Sequence, residues 1–406
     1  MFHLGIDVSK ESHRFVILDN DGEKFHKPFS YKNSLEEFRK LLDHLKELGL
    51  SPENVLAGLE ATGNLWENLY SFLTDKGFKV IVLNPHQTNK FREALRKKAK
   101  TDDIDAFVIA GLLRSGEYAS SYVPKEDIQI LREFTKMRYE FIKDRKNYQR
   151  QCFSLLALVF PEYSDTALKN PFGIASSSIL KQFPTASHMA NAKVKQIEKI
   201  VRSIQGNNFN INEIKHIIET AKSSIYSGRA AEARGLSLKM LLENIQVLNN
   251  HINDLDNKIE EILSPSSHDD SNSFPGANLL SIPGVGKKTL AAILSFVGSD
   301  GNAFDSTTKF IGHIGFFPKI YESGETRRAN TISKRGPKHL RWALYMAAVA
   351  SLKHNPQMRT LYHKKVSQGK SSKQALIYVA KKLAQLMLSM LKSGELYKIE
   401  RVFMPS

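Results

Sequence analysis

Four carboxylates in the first quarter of the chain, Asp7, Glu60, Asp102 and Asp105, could hold a divalent cation if the fold gathers them. Asp102 and Asp105 stand three apart at the head of a helical pattern that includes Ile109, Leu112 and Leu113, which places both on one face of its first turn. Side chains at that spacing lie roughly 5 to 6 Å apart. Converging carboxylates repel one another and their pKa values rise unless a cation neutralises them. Oxygen-only ligands suit Mg²⁺, or Mn²⁺ in its place. A pair of such ions about 4 Å apart can polarise a phosphodiester and stabilise both the entering and the leaving oxygen. Taken singly, each residue has a plainer role: Asp7 as a turn residue, Glu60 as a surface acid, and Asp102 as a helix N-cap. Asp103 points off the shared face and is expected to be solvated. The basic run Lys90, Arg92, Arg96, Lys97, Lys98 and Lys100 lies directly before Asp102. Such a run is ordinarily a solvated helix face; beside an acidic site it would neutralise phosphates and lay a nucleic-acid backbone over the carboxylates.

A second group lies in the last third of the chain. Ser323 and Ser333 stand among seven basic residues, Lys319, Arg327, Arg328, Lys334, Arg335, Lys338 and Arg341. Arginine forks grip phosphate oxygens bidentately and stabilise charge developing on a phosphodiester under attack. A serine there can be a nucleophile if a base or metal eases its deprotonation, although serines in basic loops more often cap or contact phosphate. Upstream, the run from Leu280 to Thr289 resembles a helix-hairpin-helix loop. In such a loop Gly284 and Gly286 expose backbone N–H groups to a phosphate at a helix start, beside Lys287. A tight turn between packed helices is the alternative.

The elements that must position these residues follow from periodicity. Phe2 to Val8 and His13 to Leu18 read as strands joined to a third, Lys24 to Tyr31, by the turn-forming Asp19-Asn20-Asp21-Gly22. Ser34 with Glu37 is a capping-box pattern opening an amphipathic helix over 34–49. Val55 to Leu59 is a fourth strand, Leu65 to Phe72 a helix, and Phe78 to Leu83 a fifth strand. Hairpin strands followed by two βα units predict an α/β domain over 1–124 with a mixed five-stranded sheet of ribonuclease-H-like (RuvC-like) type. In that topology the strands ending at Asp7 and Glu60 are neighbours, about 4.8 Å apart, at the carboxyl edge where open sheets place ligands. Beyond Pro124, Leu131, Phe134, Phe141, Tyr148 and Leu155 predict a long helix ending at Pro161. Residues 162–235 read as a helical insertion without assignable chemistry. Leu241, Ile245, Leu248, Ile252, Leu255, Ile259 and Ile262 have coiled-coil spacing. Their partner is either the 131–160 helix or a second protomer. A linker from Ser264 separates this 125–264 region from a mostly helical C-terminal domain over 272–406.

A net charge of +16 on 406 residues gives a positive field that concentrates polyanions, with nucleic acid first among them. No run of about twenty apolar residues could span a membrane, and the N-terminus has no signal-peptide pattern, so a cytoplasmic, nucleoid-associated location is expected. The single cysteine, Cys152, excludes an internal disulfide and a cysteine-based zinc cluster.

Together these motifs resemble the DEDD transposases of insertion sequences, a family that includes bridge-RNA-guided serine recombinases. The resemblance is carried by Gly5-Ile6-Asp7, Glu60-Ala61-Thr62-Gly63, Asn84-Pro85, Lys100-Thr101-Asp102 and Asp105-Ala106. It continues in the run Ile282 to Thr289, Tyr321-Glu322-Ser323-Gly324, Ser333-Lys334 with Gly336, and Leu340-Arg341 with Ala343-Leu344. It covers most of the chain outside 162–235, where the insertion is longer than in compact relatives. It implies Mg²⁺ on Asp7, Glu60, Asp102 and Asp105, and a Ser323 phosphoserine intermediate. It also implies an active site shared between protomers of a homo-oligomer, a dimer or tetramer, joined through the coiled coil. The implied partners are donor and target DNA and an element-encoded non-coding guide RNA, whose base pairing would read sequence while protein reads backbone and shape. Two other functions use the same residues: a RuvC-like endonuclease or junction resolvase acting with metal-activated water, and a non-catalytic nucleic-acid scaffold.

Overall fold

Asp19 makes the first turn: its Oδ1 accepts from the N–H groups of Asp21, Gly22 and Glu23, each at 2.9 Å, while Gly22 takes φ +91°, where side-chain-bearing residues are strained. The turn follows β1 (Phe2–Asp7) and β2 (Ser12–Leu18), which pair antiparallel. The structure is a computed structural model that describes residues 1–61, 63–95, 101–206, 209–264, 274, 276–317, 321–323, 326–328, 332–334 and 336–398; of 321–323 and 326–328 it describes the backbone. The third strand, β3 (Phe29–Lys32), begins later than the expected Lys24. Pro28 has no N–H to donate to a ladder, and Lys24 keeps only an isolated bridge to Leu18.

Helix α1 (Leu35–Glu47) starts where Ser34 accepts from the Glu37 N–H. β4 (Val55–Glu60), α2 (Glu67–Asp75) and β5 (Lys79–Leu83) follow, then α3 (Pro85–Ala94) and α4 (Asp102–Ser115). The sheet order is β3-β2-β1-β4-β5, with β1, β4 and β5 parallel. This is a mixed five-stranded α/β sheet. Strand alternation divides its apolar residues between two layers. Leu4, Ile6, Phe15 and Ile17 pack with Leu41 and Leu45 of α1 and Leu69 and Leu73 of α2. Val16 and Leu18 face Ala106 and Ala110 of α4. Gly5 and Gly58 are register partners on β1 and β4, and α4 lies over them: a Cβ on Gly5 would stand 2.1 Å from the Ala106 carbonyl oxygen, and one on Gly58 2.6 Å from Leu113. The two glycines make the trough that admits the helix backbone.

The chain divides into two compact units, Met1–Val123 and Pro124–Ser406. In the second, α5 (Glu126–Val159) is followed by α6 (Ile174–Gln182), α7 (Ala186–Ala190), α8 (Val194–Arg202) and α9 (Ile211–Lys222), then by α10 (Ala231–Ile262). α5 and α10 lie antiparallel: Arg138 Nε meets Asp256 Oδ1 at 2.5 Å and, further along, Arg145 Nη1 donates to Asn249 Oδ1 at 2.7 Å. Ile245, Ile252 and Ile259, seven apart, are buried on α10, so within this chain its apolar stripe faces α5. One end of the pair packs on α6 to α9 through Cys152, Leu156, Leu238 and Leu242; burial pushes the Cys152 thiol up to about 12, the behaviour of an inert core residue. At the other end Ile128, Leu131 and Ile259 join the core of the C-terminal helices. These are α11 (Lys287–Val297), α12 (Thr307–Ile314), α13 (Lys338–His354), α14 (Pro356–Ser367) and α15 (Ser372–Ser393). Between α12 and α13, β6 (Tyr321–Ser323) and β7 (Thr326–Arg328) form a two-stranded sheet. Among the described residues no helix is long and apolar enough to cross a membrane.

Candidate active site

Ile6 and Leu59 are register partners in the parallel β1–β4 ladder, so Asp7 and Glu60, the next residues, stand side by side at the carboxyl edge, both half-buried. Across β1 the partner of Asp7 is Arg14 on β2. The Arg14 guanidinium donates from Nε to Asp103 in the first turn of α4, and from Nη1 to Ser30 Oγ at 2.9 Å. That ion pair holds the Asp103 carboxyl below the ordinary range and ties the start of α4 to the edge where Asp7 lies. Asp103 is therefore a tether, in place of the solvated residue expected. Thr101 caps the helix, accepting from the Ile104 N–H at 3.4 Å, which leaves Asp102 as an exposed first helical residue.

α3 reaches both remaining acids from one face. Asn84 caps it by accepting from the His86 N–H at 2.9 Å, with Pro85 in the first turn. Thr88, buried, donates from its hydroxyl to Glu60 Oε2 at 2.5 Å. One turn later Arg92 Nη2 lies 2.6 Å from Asp105 Oδ1, with the two side chains only 16% and 14% exposed. Arg92 is thus turned inward as an internal counterion, not outward with the basic run that contains it. Thr88 and Arg14 were not singled out from sequence; the i, i+4 spacing of Thr88 and Arg92 was the available signal, and nothing local marks Arg14. Lys97, Lys98 and Lys100, with Arg96, lie outside the described residues.

The donor chemistry of this edge fits a hard divalent ion, since Asp7 and Glu60 present carboxylate oxygens from adjacent strands. The four acids do not form one cluster: among the described residues no group of three or more His, Cys, Asp or Glu is gathered closely enough to hold a metal. The physical reason lies in the pairing, because a guanidinium faces Asp105 where another carboxylate was expected.

In the second unit, Gly284 takes φ +94°, and a Cβ there would meet the Ser351 backbone at 2.8 Å, so this glycine serves close packing against α13. Gly286 opens onto free space and caps α11, with Lys287 as the first helical residue. The element before this loop is a 3-10 turn, Ala277–Ser281. Ser323 ends β6 opposite Thr326, and Arg327 and Arg328 stand opposite Glu322 and Tyr321. Ser333 donates its N–H to the Phe317 carbonyl at 2.8 Å, and Lys334 follows in a left-handed conformation, φ +54°. Arg335 lies outside the described residues. Arg341, expected to contact nucleic acid, donates from Nη1 to the Ile314 and Gly336 carbonyl oxygens, each at 2.9 Å. Through Nη1 it braces the end of α12, whose last carbonyl needs a donor. The acids belong to the first unit and the serines to the second.

Two family models match the chain. One, described as Transposase and of the DEDD IS110 type, covers residues 4–161; the other, described as Transposase IS116/IS110/IS902 family, covers residues 276–363. Together they span more than half of the 406 residues. The chain is 26% identical to the uncharacterized 44.8 kDa protein of insertion element IS116 from Streptomyces clavuligerus, covering 97% of this chain and 95% of that one. It is 23% identical to the 42 kDa protein of insertion element IS900 from Mycobacterium paratuberculosis, over 97% and 96% of the two chains. It is 22% identical to a pilin gene-inverting protein from Moraxella lacunata, with the same coverage.

Proposed function

Since this chain belongs to the IS116/IS110/IS902 transposase family and is an enzyme of the transposase or recombinase class, we propose that it is an RNA-guided recombinase of an insertion sequence that cuts and rejoins DNA through Ser323. The Ser323 oxygen attacks a DNA phosphorus as its hydroxyl gives up a proton. An O–P ester bond forms to the serine, one P–O bond to the sugar breaks, and the released sugar oxygen takes up a proton. Attack by the hydroxyl of the incoming strand reverses these steps and restores the serine, so the phosphoester energy is conserved.

The observation that carries this reading is the placement of Asp7 beside Glu60 at the carboxyl edge, with the first turn of α4 drawn to the same edge by Arg14 and Arg92. Asp7, Glu60, Asp102 and Asp105, not gathered as a cluster in the fold described, would be drawn together by Mg²⁺, or Mn²⁺ in its place, with Asp105 released from Arg92. When bound, the ion would polarise the phosphodiester and offset charge on its oxygens. Arg327, Arg328, Lys334 and the Lys97–Lys98–Lys100 run would hold the DNA backbone, and the Gly286–Lys287 helix start would hold a phosphate in the manner of a helix-hairpin-helix loop. Domains 1–124, 125–264 and 272–406 would act as RuvC-like, coiled-coil and serine-bearing parts. Two protomers would join through a coiled coil of α5 and α10, each completing the other's site, and a non-coding RNA would pair with donor and target DNA, keeping the enzyme at the nucleoid.

A hydrolytic nuclease with activated water is the second reading. A relative named for inverting a pilin gene favours rejoining, because inversion leaves no free ends. Trapping separates the two. A covalent protein–DNA adduct should form with donor and target DNA and the co-purifying RNA, and Ser323→Ala should lose it. Product formed without any adduct sinks the serine mechanism, and a preparation that yields no defined short RNA sinks the guidance.

A further inference from the structure

Along α5, on residues outside every part of the proposed active site, Tyr139, Lys143, Lys146, Arg150 and Phe153 recur in steps of four and three. They line a groove of about 460 Å³ closed on one side by Trp342 of α13. That is a volume that holds groups the size of a small ligand (about 300–1,000 Å³). The groove lies off the seam with α10, which is occupied by Arg138 and Arg145. Among the described residues its walls carry three cations and no Asp or Glu. Lys143 has an exposed partner in Glu140 at 2.7 Å, a pair worth little against a polyanion; Lys146 makes no ion pair among the described residues. Each end of the stripe is aromatic. Tyr139 and Trp342 meet edge to face with centroids 5.7 Å apart, and Phe153, 44% exposed, meets Phe172 at 5.0 Å. With a rise of 1.5 Å per residue the two platforms are roughly 20 Å apart along the helix.

We infer that this groove binds a single-stranded segment of nucleic acid, with bases stacked at Trp342 and at Phe153 and phosphates on Lys143, Lys146 and Arg150. A duplex has its bases already stacked and cannot offer them to the two platforms, whereas unstacked bases on aromatic rings combined with a cationic track are what single strands require. An acidic peptide would match the cations and leave both platforms unused. The inference rests on the reading that the chain handles nucleic acid, and is independent of Ser323 and of the acidic edge.

The chain has two tryptophans, so Trp66→Phe makes Trp342 the reporter in the full-length protein. Oligouridylate and oligothymidylate of about ten nucleotides, a length within the range such grooves cover, should each quench Trp342, and the tighter of the two names the strand as RNA or DNA. Phe153→Ala, at an exposed ring, should weaken binding by about five- to hundredfold. Lys146→Gln with Arg150→Gln should lower the slope of log affinity against log salt by about 1.4. Duplex binding should be unchanged in both variants. Equal quenching by duplex DNA or by polyglutamate overturns the inference, as does single-strand affinity that ignores both variants while duplex binding persists. If neither duplex nor single strand binds, the proposed function falls with it.

Discussion

Asp7 and Glu60 stand on the central strand of a five-stranded sheet and on its neighbour, beneath a helix that approaches Gly5 and Gly58 closely enough to exclude any side chain there. Ser323 ends a three-residue strand whose ladder has a single neighbour. Two-stranded hairpins are marginal in water unless something packs on them. The first arrangement is preorganised by the core of its own unit, so in the proposed reaction it would act without reorganising. The second is a small sheet, and on the proposed mechanism it is the part that carries the nucleophile. Substitutions that separate placement from chemistry test the contrast.

The largest effect is expected at the serine. Ser323→Ala should abolish the covalent adduct and reduce strand exchange by about 10⁶-fold, the scale of losing a nucleophile, with no change in calorimetric melting of either unit. Full exchange by this variant would transfer the role to Ser333. Asp7→Asn and Glu60→Gln should each cost on the order of 10³-fold in exchange rate and should remove its Mg²⁺ dependence. Unchanged rates in both would reduce the acidic edge to a structural feature, and the contrast with the hairpin would lose its functional meaning.

The sheet was legible because its strands alternate and its turn residues are explicit: β1, β2, β4 and β5 fall where Phe2 to Val8, His13 to Leu18, Val55 to Leu59 and Phe78 to Leu83 predict them. What stayed hidden depends on pairs distant in the chain. Arg92 looks like its basic neighbours until α3 turns it onto Asp105. Arg14 reaches Asp103 across 89 positions, and no spacing rule links a strand residue to a helix start that far away. Arg341 reads as a phosphate ligand because its neighbourhood is basic, although two carbonyl oxygens occupy its Nη1. Helix α10 begins at Ala231, ten residues before the heptad pattern opens at Leu241; of the large apolar residues in that stretch only Leu238 is buried, while Leu236 and Met240 are exposed and blur the periodic signal.

Backbone contact makes the first unit brittle at Gly5, as it does the second at Gly284 and Gly336. Gly5→Ala would place a Cβ 2.1 Å from the Ala106 oxygen and 2.5 Å from the Ala110 nitrogen, atoms that move only if α4 moves. The expected cost is about 1–3 kcal/mol, seen as a lower melting temperature of the Met1–Val123 unit alone and as reduced exchange, because α4 carries Asp102 and Asp105. An unshifted transition would mean that α4 does not rest on β1. Arg92→Gln should act more gently: with no guanidinium competing for Asp105 and repelling the ion, Mg²⁺ affinity by titration calorimetry should rise about tenfold, the scale of removing one nearby cation. Weaker Mg²⁺ binding would instead make Arg92 a residue that positions the carboxylate.

The smallest effect concerns pH and falls on the second unit. His339 lies between Phe296, at 4.9 Å, and Tyr139, at 6.1 Å, with its Nε2 buried and without a hydrogen-bond partner among the described residues. Burial, reinforced by the charges of Lys136 and Arg132 and opposed by Glu140, lowers its pKa from 6.5 to about 4. A histidine held neutral in the fold binds its proton more readily when unfolded, so its contribution is complete above pH 6.5 and is lost as pH falls towards about 4. The melting temperature of the second unit should therefore decline across that window, and His339→Gln should flatten part of the decline, leaving the share of His313, which burial also pushes down. His3 and His13 in the first unit are lowered by burial too, so acid softens both units and only the variant isolates His339. If His339→Gln left the slope of the second unit unchanged, the ring would already be solvated, and the apolar packing of α5, α11 and α13 around it would be looser than the contacts with Phe296 and Tyr139 require.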